Sequence, residues 1–159
     1  MFERIALYLY LTTLSLWVGG AFVLAFVVTP KTFQFVPSAS RAGTLVGTYL
    51  KTFDIWKIFF ILGLVAFSTS RSSEGLLPAP SLAEVVAIFF LSGSWMGQYF
   101  YLNPRMDELR QVIGCFDSAP ADSPARASFA TLHRIAMFLT LGDLAAGLFL
   151  LFYVVFQLH

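Results

Sequence analysis

The sequence predicts an all-α, polytopic membrane protein: a bundle of four transmembrane helices with long helical extensions on the cytosolic side. Three observations carry this. Hydrophobic residues make up 58% of the 159 residues and charged residues only 12%, against about 25% charged in an ordinary soluble domain. The mean hydropathy is +0.77 and phenylalanine alone occurs 18 times. The apolar residues also fall into four runs divided by polar stretches, each near the ~20 residues that cross ~30 Å of hydrocarbon. A single membrane domain, residues 1–159, follows.

The first run spans about residues 5–28. It is too long for a signal peptide, and Pro30-Lys31 makes a poor cleavage site, so a retained span is expected. Pro30 is expected to stop or kink it. The second run, about 53–68, is short and interrupted by Lys57. Upstream lies "SRAGTLVGTYLKTFDIWK", so one long helix is expected from near Ser40, its first turns in the interfacial or cytosolic layer. Asp54 and Lys57 stand three apart and share a face, where they can pair.

The third run, about 82–102, opens on Ser81-Leu82-Ala83-Glu84, the spacing of a capping box. Pro78 and Pro80 mark a tight connection before it. Asn103-Pro104 predicts a kink or a stop, with a short amphipathic helix over about 106–116 beyond. "DSAPADSPARAS" reads as an exposed loop. Within it, Ser123-Pro124 offers an N-cap followed by proline at the first helical position. The fourth helix therefore starts near Pro124, before its apolar part at about 135–158.

Charge sets the expected orientation. Lys31, Arg41, Lys51, Lys57, Arg105, Arg110, Arg126 and Arg134 flank the two longer connections, and only Arg4 and Arg71 lie on the other side. The positive-inside rule places segments 29–52 and 103–134 in the cytoplasm and both termini outside, in an inner or cytoplasmic membrane. Net charge is +1, so no strong field draws nucleic acid. Cys115 is the only cysteine, which excludes an intrachain disulfide and any multi-cysteine metal site.

No soluble-enzyme motif is present: no phosphate-cradling glycine loop, no paired metal-ligand spacing and no placed Ser–His–Asp set. No catalytic residue and no metal ligand is therefore named. What remains is polarity at membrane depth, which costs energy and needs a reason. Asp143, in "FLTLGDLAAGLFLL", is a proton or cation site, or a carboxylate bonded to another helix through Gln98, Ser92, Ser94, Thr12 or Thr13. Gln98 and Asn103 can bond neighbouring helices. His133 is a weak candidate for a haem or metal ligand, since one histidine without a second ligand falls short of a site. Gly19 and Gly20, Gly43 and Gly47, and Gly93 and Gly97 let helices approach closely.

Together these residues resemble a known family. "LWVGGAFVLAFVVTPKTF" followed by "RAGTLVG", Asn103-Pro104-Arg105 and Leu132-His133-Arg134 is similar to the family called domain of unknown function 4149, or transmembrane-protein-205-like. The resemblance runs in order over nearly the whole chain and implies a small bundle of membrane helices. Where family members place Ser and Asn after the histidine, this chain has Ala136 and Thr140, with Asp143 deeper in. More distant relatives of that family, the copper-resistance D domain and a class of protoporphyrinogen oxidases, carry extra histidines near the first span. This chain has none there, so neither haem nor copper is favoured.

Three roles follow. The first is an accessory or scaffold subunit that packs against other membrane proteins in the bilayer and is not an enzyme. The second is a transport or handling protein for a small molecule, proton or metal ion, using Asp143, Gln98, His133 and Met137. It expects Asp143 to face a hydrated cavity, and a dry, fully bonded Asp143 excludes it. The third is a haem-linked membrane redox protein.

Overall fold

The computed structural model describes residues 2–74, 79–120 and 122–157. Pro78, Leu158 and His159 lie outside them, as do the side chains of Arg4 and Arg71. Among the described residues the chain is helical throughout: α1 (Phe2–Phe22), a π-helical turn (Val23–Val28), α2 (Thr29–Phe35), α3 (Ala39–Glu74), α4 (Leu82–Gly97), a second π-helical turn (Gln98–Leu102), α5 (Asn103–Ile113) and α6 (Pro124–Gln157). Starts near Ser40 and Pro124 are as the sequence indicates. Ser81 Oγ accepts from the Glu84 N–H at 3.2 Å, and Ser123 Oγ accepts from the Arg126 N–H at 3.2 Å. Both hydroxyls satisfy a donor that the first helical turn leaves open.

Neither Pro30 nor Pro104 ends its helix. Each follows a π-helical turn, and the rods continue as Leu7–Phe35 and Leu82–Ile113. A proline removes one N–H and crowds the carbonyl four residues back. A turn bonded five residues back accommodates both. The Thr29 N–H bonds Leu24 O and the Asn103 N–H bonds Gln98 O. Thr29 Oγ1 also donates to Leu24 O at 2.7 Å.

Helices α1, α3, α4 and α6 form an up-and-down bundle in which α1 and α4 each pack against both α3 and α6. Its core is Tyr10, Leu14, Trp17 and Ala21 on α1, Leu64 and Phe67 on α3, Ala87, Ile88 and Leu91 on α4, and Leu144, Leu150 and Val154 on α6. The Tyr10 and Phe67 rings stack 4.5 Å apart, and Trp17 meets Phe60 at 6.1 Å. The 36 residues of α3 and the 34 of α6 make rods of about 54 and 51 Å at 1.5 Å per residue. Both extend well past the core residues at one end of the bundle, which therefore projects. There α2, α5 and the first turns of α3 and α6 pack together, joined by the Lys51–Asp107 pair and by Ser38–Asp117.

Much of the outer surface is apolar. Phe89, Phe156, Tyr8, Phe138 and Phe100 all stand exposed, Phe89 at 80%. Helices apolar on every side belong in lipid or under a partner. Three rods, Leu7–Phe35, Leu82–Ile113 and Pro124–Gln157, are long and apolar enough to cross a membrane. Helix α3, with Asp54 and Lys57 in its apolar half, is not among them.

Candidate functional site

The polar groups of the bundle meet at one level. Lys57 Nζ lies 3.0 Å from Asp54 Oδ1, on the same face of α3, and 3.5 Å from Asp143 Oδ2 on α6. The ammonium also sits 5.6 Å from the Phe53 ring centroid and 5.9 Å from that of Trp17, within the range of cation–π attraction. Asp54 Oδ2 accepts from Asn103 Nδ2 at 2.8 Å, and the Asp54 carbonyl accepts from Trp95 Nε1 at 2.7 Å. Gln98 Nε2 donates to Asp143 Oδ2 at 3.3 Å and to Ser94 Oγ at 3.0 Å. Thr140 Oγ1 lies 3.5 Å from Gln98 Oε1 but 2.9 Å from the Ala136 carbonyl. Its single proton serves the shorter contact.

The second π-helical turn builds this arrangement. Five residues along an α-helix leave two side chains about 140° apart. A turn bonded five residues on brings them back to one face. Gln98 and Asn103 therefore both reach the interior, one to Asp143 and the other to Asp54.

The charges do not cancel. Two carboxylates and one ammonium sum to −1 when all are ionised. Asp143 is 1% exposed, and Asp54 and Lys57 are 4% each. Asp54 holds both the shorter contact to Lys57 and the amide of Asn103. Among the described residues Asp143 Oδ1, by contrast, makes no hydrogen bond within 3.5 Å, although the Ser94 hydroxyl lies near the carboxyl, and Trp17 Nε1, another buried polar atom, makes none either. A buried acceptor left open forfeits about 1–3 kcal/mol, and an excess buried charge costs more. A proton on Asp143 would cancel the excess charge, while Oδ1 would still lack a partner among the described residues.

The other candidates lie elsewhere. His133 stacks on Phe129, with centroids 6.1 Å apart, near the start of α6. Among the described residues no three His, Cys, Asp or Glu side chains gather as a metal-ligand set. Met137 is exposed. Ser92 bonds its own helix at Ile88 O.

The glycines divide. A Cβ on Gly20 would stand 2.6 Å from Phe53 Cε2, and one on Gly47 would stand 2.7 Å from Arg110 Nη1. Gly43 has only Phe33, at 4.0 Å, and around Gly19, Gly93 and Gly97 nothing lies within 4 Å. Besides Gly20, close helix approaches fall at Gly142 against Phe90 and Gly147 against Val18, with Gly63 in ordinary contact with Thr13.

Sequence reasoning found Asp143, Gln98 and the Asp54–Lys57 pair but set that pair in the interfacial layer. It points into the bundle instead, because the Trp17, Phe53 and Asp143 side chains receive it there. Glu84, read as a capping residue, is also fully buried and accepts from Tyr10 Oη at 3.5 Å. The hydrated cavity expected beside Asp143 is not found at either pocket of the described residues, and the carboxyl is buried. Asp143 lines neither the groove of about 810 Å³ between the first π-helical turn, α2 and α3 nor the pocket of about 240 Å³ between α3, α5 and α6. No protein-family model matches the chain, no curated protein is similar to it, and no solved structure matches it.

Proposed function

We propose that this chain is an integral membrane protein that takes up and releases a proton at Asp143, as a small transport or handling protein. The observation that carries the reading is the open Oδ1 of Asp143 in a buried cluster of net charge −1. A proton needs no cavity volume, so a closed site suits it where a larger cargo has no room. An accessory subunit that only packs against neighbours needs none of this buried charge, which costs several kcal/mol per ion to desolvate.

In this reading α3 also crosses the bilayer, which completes four spans. Its length and its place between α1 and α4 support that. Seven of the eight basic residues, all but the buried Lys57, support a cytosolic location for the projecting end, with both termini outside. The family resemblance belongs to the same proposal, since two of its marks, Trp17 and Gly20, lie against Lys57 and Phe53 of the cluster.

Infrared spectroscopy of the reconstituted protein tests it. A carboxylic C=O band should appear at neutral pH, titrate with pH and vanish in Asp143→Asn. A spectrum with no such band, or one that Asp143→Asn leaves unchanged, removes the proton reading.

A further inference from the structure

At the projecting end, α3, α5 and α6 enclose the pocket of about 240 Å³, lined by Arg110, Arg126, Phe116, Phe129, Ser40 and Thr44 among others. Arg110 lies 5.3 Å over the Phe129 ring, Arg126 lies 5.9 Å over Phe116, and the two rings meet edge to face at 5.0 Å. Each guanidinium is half-buried and lies over a ring before any ligand arrives. Arg110 donates to Asp107 Oδ1 at 3.3 Å and to Gly43 O at 3.4 Å. Gly47 leaves the space it occupies. The Gly43–Gly47 pair thus seats an arginine rather than another helix.

The anions nearby are committed elsewhere. Asp107 is shared with Lys51. Asp117 uses one oxygen on Ser38 Oγ at 2.5 Å and the other on the Ala39 N–H at 2.9 Å. Arg126 donates to the Ala119 carbonyl at 2.6 Å and makes no ion pair among the described residues. A partly desolvated guanidinium without a carboxylate, as at Arg126, is costly. Arg110 shares its one carboxylate, Asp107, with Lys51, so the two guanidiniums around this small cavity keep an excess of positive charge that suits a compact anion.

We propose that this pocket binds a phosphate monoester, held between the Arg110 and Arg126 guanidiniums. Such a group carries about −1.5 to −2 charges and three acceptor oxygens, which matches two cations. A carboxylate leaves one cation unanswered. Guanidinium forks pair with phosphate through two parallel N–H bonds. The phosphate belongs either to a lipid headgroup at the membrane surface or to a soluble molecule.

Calorimetric titration of the full-length protein in detergent tests the proposal, using inorganic phosphate, a short-chain phosphatidic acid and a short-chain phosphatidylcholine. Saturable binding of the first two, and weaker binding of the third, supports it. Binding of phosphatidic acid alone assigns the site to a headgroup, and binding of inorganic phosphate alone assigns it to a soluble ligand. Arg126→Gln should weaken the Kd at least tenfold without changing the unfolding temperature of the ligand-free protein. Where Arg126→Gln folds poorly, Arg126→Lys keeps the charge, loses the fork and should weaken binding severalfold. Absence of saturable binding to either phosphate probe overturns the proposal. So does phosphatidylcholine binding equal to that of phosphatidic acid, or unchanged affinity in the folded variant.

Discussion

Lys57 Nζ on α3 reaches Asp143 Oδ2 on α6 at 3.5 Å while holding Asp54 at 3.0 Å, so one ammonium serves carboxylates from two helices. Removing it strands both. Lys57→Met is expected to destabilise the bundle by about 3–5 kcal/mol, the usual cost of a buried charge left without its partner. Asp143→Asn keeps an acceptor for Lys57 and Gln98 and exchanges one open buried atom for another. Its expected effect is about 1 kcal/mol or less. Unfolding free energies of the purified variants check this. If Asp143→Asn costs as much as Lys57→Met, Asp143 is a permanently ionised partner and not a proton site.

Glycine substitutions should separate close helix contacts from open surface. A Cβ on Gly147 would stand 2.6 Å from Val18 Cγ2, on a short branched side chain that cannot swing away. Gly147→Ala is expected to cost about 1–3 kcal/mol through overpacking. Gly93→Ala and Gly97→Ala meet nothing within 4 Å. They are expected to be neutral, or to stabilise by up to about 1 kcal/mol through helix propensity. Thermal unfolding of the three variants gives the ranking, and a large loss at Gly93 or Gly97 would mark a partner on that face.

These glycines also show what the sequence can and cannot carry. Apolar runs, the Ser81 and Ser123 caps and the charge asymmetry are local signals, and the helices they imply are present within a few residues. Which face of a helix turns inward is decided by other helices. Gly93 and Gly97 have the small-xxx-small spacing of a contact, yet the contacts fall at Gly20, Gly63, Gly142 and Gly147, which share no such spacing. Asp54 and Lys57 have the spacing of a surface pair, and nothing local says that Asp143 waits opposite. Pro30 and Pro104 were legible as perturbations, but the π-helical turn that absorbs each depends on the five residues before it. Gln98 and Asn103, five apart, look incompatible with one face until that turn is present.

Asp117 links the loop after α5 to the first turn of α3. Its carboxyl is held below the ordinary carboxylate range, chiefly by the Ser38 hydroxyl and further by the backbone N–H groups of Ala39 and Ser40. A group depressed in the folded state favours folding above its unfolded value, near ~3.9. That contribution is lost as pH falls through the lower, folded value. Stability should therefore drop below about pH 4 in the parent protein, and Asp117→Asn should flatten that part of the profile. Denaturation midpoints measured across acidic pH check it. A profile that Asp117→Asn leaves unchanged would mean that the cap adds nothing to stability.

Cys115 gives a direct probe of orientation, because it is exposed and the sequence holds no other cysteine. It lies in the connection between α5 and α6, at the end where the basic residues gather. The thiol is held below its ordinary value, chiefly by the backbone at Asp117 and further by Ser118. The thiolate is the reactive form, so a maleimide should label this site faster than an unperturbed cysteine at neutral pH. In sealed cells or right-side-out vesicles, a membrane-impermeant maleimide should leave Cys115 unlabelled until the membrane is opened. A permeant maleimide should label it at once. Prompt labelling by the impermeant reagent would place this connection outside and reverse the proposed orientation. The arginine pocket, built at the same end, would then open to the exterior.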